Sequence, residues 1–404
     1  MPAHRILAVA ITMQAALAAC SSSSTGNPEP EPEAEPDVAP DFERTAMLTH
    51  LVDEVVLPLY EQGRADLAAL RDATYAWRDA SGDGVAERTA AQDLWRVAFT
   101  TWTEADVMQI GPAGAADVTK NGQGLRDDIY AWPSTSPCSI DQALVANTFE
   151  DSGYFASKLV NMRGLGGMEV ALFSTTGANA CPVAAAINAN GSWAALGDVE
   201  VQARRARYAA ALGDFLVGRA DALLAAWSDG HRADFIAESG GVYGSQGAAV
   251  DELVAAMLYV DKTTKDLKLG IPLGVNDLCP TETCPGSFES QQARAMREGI
   301  LGNLRGLKAI VDGERPGGAS GLGLFDYLVA AEATIIADAL VAHLDAAIAE
   351  AEAAPPDFIA SIDSDREALL ALHALVGEVD SVIKTEVITA LEIELPSNTP
   401  IDTD

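Results

Sequence analysis

Among the side chains able to do chemistry, Glu169 holds the most telling position, because it interrupts the apolar run Met168, Val170, Leu172 and Phe173. A carboxylate in such surroundings needs a charged or hydrogen-bonding partner, or it keeps its proton. Arg163 and Arg126 are the candidate partners, and two roles are open: a buried salt bridge joining helix to loop, or ligand binding. Glu104, close to Trp102 on a predicted helix, carries the same ambiguity. One helical turn before Glu169, on the same face, stands Gly166, which has no side chain. With no side chain at that position one carboxylate is left, and one carboxylate alone is not a zinc site. Gly164, Gly166 and Gly167 each cost about 1 kcal/mol relative to alanine inside a helix, so close backbone packing against a neighbouring helix is expected there.

The histidines beyond the leader, His50, His231, His343 and His373, are read as non-ligating: the carboxylates near His50 and His231 are what so acidic a chain places beside histidines by chance. Asp79, Ser81, Asp83 and Gly84 imitate the opening of a calcium loop, but its twelfth position is Ala90, where a bidentate glutamate is needed. The chain has no Gly-x-Ser-x-Gly elbow, His-Glu-x-x-His helix, phosphate-binding loop or dinucleotide fingerprint, which leaves ordinary hydrolase and nucleotide-binding classes without support. No cofactor is predicted from the residues themselves.

The residues before Cys20 have the build of a lipoprotein leader: His4 and Arg5, an apolar run from Ile6 to Leu17, then Leu17-Ala18-Ala19-Cys20. The run is too short to span a bilayer, so residues 1–19 are expected to be removed and Cys20 acylated, with the bilayer as its partner. Ser21 after the lipidated cysteine favours the outer membrane, facing the periplasm. Residues 20–42, rich in Ser, Pro and Glu, form an extended tether. A net charge of −33 repels phosphate backbones and anionic headgroups, so nucleic acid is excluded as a partner and the lipid must do the anchoring. The other four cysteines suit an oxidising compartment. Cys279 and Cys284 read as a local bridge, leaving Cys138 and Cys181 to staple loops on either side of the Glu169 helix, although three connectivities are open from sequence.

The elements that must position these residues are helices. Alanine and leucine dominate at helical intervals and sustained alternation is almost absent, which predicts an all-α fold. Met47 to Leu59 gives a first helix with one buried face, kinked at Pro58. Further helices are expected over about 85–108, 142–162, 167–173, 198–228, 247–268, 290–311, 323–352 and 363–393. The connector holding Arg126, Trp132-Pro133 and Asp141 is long and rich in aromatic and ionic residues, as functional loops are.

Several strings, in order along most of the mature chain, resemble the imelysin-like family. They are Val55 to Tyr60, Gln109 to Ala113 after Trp95, Trp102 and Glu104, Arg126 to Pro133 with Ile140-Asp141, Arg204, Tyr208 and Trp227 on a long helix, Asp261 to Gly274, and Asn303 to Leu307. The family carries a Gly-x-His-x-x-Glu helix, whose positions here are Gly164, Gly166 and Glu169, so the family histidine is missing. The resemblance implies two four-helix-bundle-like lobes, drawn at 43–190 and 191–404, and a lipid-anchored, non-catalytic binding protein of the cell envelope, in iron acquisition. It implies Glu104, Arg126, Trp132, Asp141, Arg163 and Glu169 as ligand-binding candidates, with a small ligand, iron or another divalent metal, or an envelope protein as the bound partner. The alternative is a metallopeptidase whose missing ligand comes from Asp127, Asp128 or Asp141.

Overall fold

The computed structural model describes residues 42–395; the expected leader, Cys20 and the tether as far as Asp41 lie outside the described residues. The described residues belong to one compact unit. Among its helices are α1 (Leu57–Arg78), α2 (Val85–Ala105), the short α3 (Leu125–Ile129), α4 (Pro137–Ala146), α5 (Gly164–Phe173), α6 (Gly197–Ala226), α7 (Gln246–Met257), α8 (Met296–Asp312), α9 (Thr334–Ala353) and α10 (Arg366–Ser381). Among the described residues the only strands are the two-residue pair Ser239–Gly240 and Gly244–Ser245, so the all-α expectation holds.

Helix α2 shows why this sequence packs as it does. Ala91, Trp95, Ala98, Phe99 and Trp102 recur at three- and four-residue steps and are all buried. One edge of the helix packs on α1 and another on α8, while α1 also lies along α6, and α8 packs on α9, which in turn packs on α10. The apolar core therefore runs without a break from Met47 to Leu391. Each large side chain fully buried in it contributes about 1.5–3 kcal/mol.

Where the structure departs from the expected helices, local chemistry explains it. Helix α4 starts at Pro137, with the Ser136 hydroxyl accepting the Ser139 N–H at 3.3 Å, and stops at Ala146 because Asn147 takes a left-handed conformation. The helix expected over 142–162 is accordingly half turns and short 3₁₀ segments. Pro58, where a kink is expected, sits within one continuous helical run: Leu51–Val56 takes π-helical turns just before it, so the ladder is shifted ahead of the residue with no N–H. Another π-helical stretch, Val260–Gly270, packs against α10 and carries Leu267 and Lys268 toward the middle of the molecule.

Both disulfides are present, Cys138–Cys181 and Cys279–Cys284. The first ties the start of α4 to the connector after α5, and the second closes the loop after Gly274. No helix among the described residues is long and apolar enough to cross a membrane.

Candidate functional site

Four segments enclose a cavity of about 520 Å³: α2 with Trp95 and Phe99, the loop from Tyr130 to Pro137, α5 from Leu165 to Val170, and the turn-rich stretch 286–292. Leu267 and Ile271 close one side. The aromatic wall is continuous, since Phe99 stacks on Trp95 at 4.8 Å between ring centres and on Tyr130 at 6.0 Å. Trp95 is fixed in turn by an Nε1–H donated to the Leu165 carbonyl at 2.9 Å.

Helix α5 reaches this wall because it starts on glycine. Gly164 has φ +73°, and a Cβ there would lie 2.4 Å from the Ala131 Cβ and 2.9 Å from the Tyr130 carbonyl oxygen. Only glycine satisfies both demands. One turn before Glu169, a Cβ on Gly166 would lie 2.1 Å from Thr135 Oγ1. The space that an imidazole would need is thus filled by the Thr135 side chain. Close packing accounts for these glycines as expected, but for Gly164 and Gly166 the neighbour is the 130–135 loop rather than a helix.

Neither expected arginine pairs with Glu169. Its Oε1 accepts backbone N–H bonds from Gln292 at 2.8 Å and Ala293 at 3.0 Å. Burial, only partly offset by those two bonds, pushes its carboxyl up to about 7; Glu289 pushes the same way and Arg96 opposes it. Arg96 secures the same strip of backbone, donating to the Ala293 carbonyl at 2.6 Å. Arg163 instead holds Asp128 at 2.5 Å and the carbonyls of Phe155 and Lys158. Arg126 donates to Asp106 at 2.5 Å, to Asp127 at 2.7 Å and to the Trp132 carbonyl at 3.1 Å.

Beside the cavity lies a buried ionic network. Glu289 accepts a short bond from the Tyr130 hydroxyl and pairs with Lys268 at 3.0 Å. Lys268 also donates to the Tyr130 hydroxyl at 3.2 Å and stands 3.8 Å from Asp106, which accepts from Tyr259 as well as Arg126. Burial raises the Tyr130 hydroxyl well above its ordinary range, reinforced by the charge of Glu289, so it stays a donor. Each cation of this network already has its carboxylate.

Of the candidates named from sequence, Trp132, Gly166 and Glu169 line the cavity. Gly164 frames it, and Arg126 and Arg163 hold its loop in place. Asp141 lies outside it, accepting the Ala180 N–H at 2.7 Å and facing Arg205 at 3.7 Å. Glu104 also lies outside it, half-buried at the end of α2 beside α8, its carboxyl raised by burial and lowered by Arg315 and Arg305. Sequence reasoning missed Thr135, Glu289 and Ser290 as cavity residues. A hydroxyl or carboxylate in a turn-rich loop carries no signal of its own until the fold sets it opposite α5.

A divalent metal does not fit these residues. Gly166 offers no ligand, Thr135 occupies the vacated space, Glu289 is neutralised by Lys268, and no group of three His, Cys, Asp or Glu side chains among the described residues is arranged to hold an ion. The alternative ligands for a metallopeptidase are engaged elsewhere: Asp127 with Arg126, Asp128 with Arg163 and Asp141 with Arg205.

The cavity thus lies within an all-helical body, with an aromatic wall on one side and one carboxyl held by backbone N–H groups on another. The Imelysin family profile matches residues 56–383, and the chain belongs to that family. Its fold is similar to that of an imelysin-like protein from Psychrobacter arcticum, with a TM-score of 0.64 and 20% identity over 87% of this chain and 96% of that one. It is also similar to a protein of Parabacteroides distasonis named as a precursor of iron-regulated protein A, with a TM-score of 0.63 and 14% identity over 86% and 95% of the two chains. At such identities the likeness establishes the fold. Among curated proteins, no sequence matches this chain.

Proposed function

We propose that this imelysin-family chain is a lipid-anchored protein of the bacterial cell envelope that binds a small ligand in the Glu169 cavity without turning it over, in the service of iron acquisition. The observation that carries the non-catalytic reading is Thr135 filling the space beside Gly166, which leaves the family motif with neither a second ligand nor room for one. The leader ending in Cys20 supports acylation, and Ser21 supports an outer-membrane destination facing the periplasm. The name of the Parabacteroides relative supports the connection to iron.

Purified protein incubated with unfolded polypeptides, with and without added zinc or ferrous ion, is expected to leave them intact by mass spectrometry. Metal-dependent cleavage that disappears in Glu169→Ala would overturn the reading. Anchoring has its own test: Cys20→Ser is expected to move the protein from the membrane to the soluble fraction, and unchanged membrane retention would contradict it.

A further inference from the structure

The turn whose N–H groups reach Glu169 is strained at both ends. Ser290 and Arg294 both take left-handed backbone, at φ +44° and φ +56°. A residue with a side chain pays for that conformation and keeps it only where its neighbours impose it. The Arg294 N–H donates to the Ser290 carbonyl at 2.8 Å, which closes residues 290–294 into one turn. The Ser290 hydroxyl is buried without a hydrogen-bond partner, a further cost that contact with water would remove. Just outside the turn the chain is fixed on both sides. Glu289 is held by Tyr130 and Lys268, while Ala295 and Met296 are buried where α8 begins. Within the turn the holds are polar and few: Glu169 Oε1 on the Gln292 and Ala293 N–H groups, Arg96 on the Ala293 carbonyl, and the Ser174 hydroxyl on Gln292 Oε1 at 3.1 Å.

We propose that residues 290–294 are a flap on the cavity, hinged at Ser290 and Arg294 and latched shut by the Glu169 carboxyl. Hinges are the few positions beside fixed chain that absorb a change in φ and ψ, and these two residues stand there. The closed form is the resting one, since Ala293 is only 1% exposed and opening would give up its packing. Opening relaxes both left-handed residues and wets the Ser290 hydroxyl, which offsets part of the lost bonding. The turn therefore opens at lower cost than the helices around it. Ser290, Gln291 and Gln292 belong to the cavity wall, and both glutamines are already exposed, so the cavity widens on this side when the turn swings out. That the flap admits a ligand rests on the cavity being the binding site proposed above; that it opens does not.

Hydrogen exchange of the full mature chain, read by NMR at single backbone amides, tests this without any ligand. The Gln292, Ala293 and Arg294 amides are expected to exchange through one shared opening, at least about tenfold faster than the amides of Leu304 and Leu307 inside α8. Ser290→Gly relaxes one hinge in the closed form and removes the orphaned hydroxyl, so it should slow all three about fivefold. Glu169→Ala should speed all three about tenfold. The Arg294 amide is the telling one, because its own acceptor is the Ser290 carbonyl and not Glu169. Glu169→Gln keeps an acceptor oxygen and should bring the rates back near wild type. If Glu169→Ala speeds Gln292 and Ala293 but leaves Arg294 unchanged, the carboxyl is a local cap and the latch is overturned. Protection of the three amides equal to that of α8, or faster exchange in Ser290→Gly, would overturn the flap itself, and these two readings decide the matter even where Glu169→Ala fails to fold. Cleavage in the polypeptide assay would sink the non-catalytic reading and leave the flap untouched.

Discussion

Thr135 and Gly166 form a matched pair: the hydroxyl occupies the volume that any side chain at 166 would claim. In an ordinary helix, Gly→Ala stabilises by about 1 kcal/mol. Here Gly166→Ala should instead destabilise by about 1–3 kcal/mol through overpacking, and the loss should vanish in a Thr135→Ala background. Denaturant melts of the two single variants and the double variant check this, and additive effects would contradict it. Glu169 carries a second consequence. Its folded carboxyl sits at about 7 against an ordinary 4.5, so folding takes up a proton between those values. Its contribution is therefore intact below about pH 4.5 and is lost as pH rises through about 7, a change of up to about 3 kcal/mol. Relative to wild type, Glu169→Gln should gain stability from about pH 5 to about pH 8, and a pH-independent difference would show that the carboxyl is not shifted. Glu169 and Gly166 were legible from residue type and helical spacing. The partners of Glu169 were not, because they are backbone N–H groups more than a hundred residues further along, and every residue but proline has one.

The helices themselves were legible wherever apolar residues recur at three- and four-residue steps, as in α2 and α6. A boundary failed where a single conformation decided it, at Asn147 with φ +55°, while the π-helical turns before Pro58 and over Val260–Gly270 leave no periodic signal of their own. Cysteine count and context pointed to the two bridges that the fold contains. Their loop lengths separate their effects: the Cys138–Cys181 link spans 43 residues and the Cys279–Cys284 link spans 5. Loop-closure entropy assigns about 4 kcal/mol to the former and about 2 kcal/mol to the latter. Replacing Cys138 and Cys181 by serine should thus lower the melting temperature markedly more than replacing Cys279 and Cys284, as read by calorimetry. It should also weaken binding in the cavity, since Cys138 follows Pro137 on its wall; equal effects from the two pairs would contradict this ordering.

At the scale of the molecule, one continuous helical core brings together α2, α5 and two loops far apart in sequence, and the cavity exists only through that assembly. The net charge of −33 says nothing of what the cavity holds. That depends on a neutral threonine and a glycine where a metal-binding chain would need an imidazole. The most direct measurement is anomalous diffraction at the zinc and iron absorption edges from crystals of the purified protein equilibrated with each ion. No peak is expected beside Glu169 and Gly166; a fully occupied ion at about 2.0–2.2 Å from a Glu169 carboxylate oxygen would contradict the binding site described here.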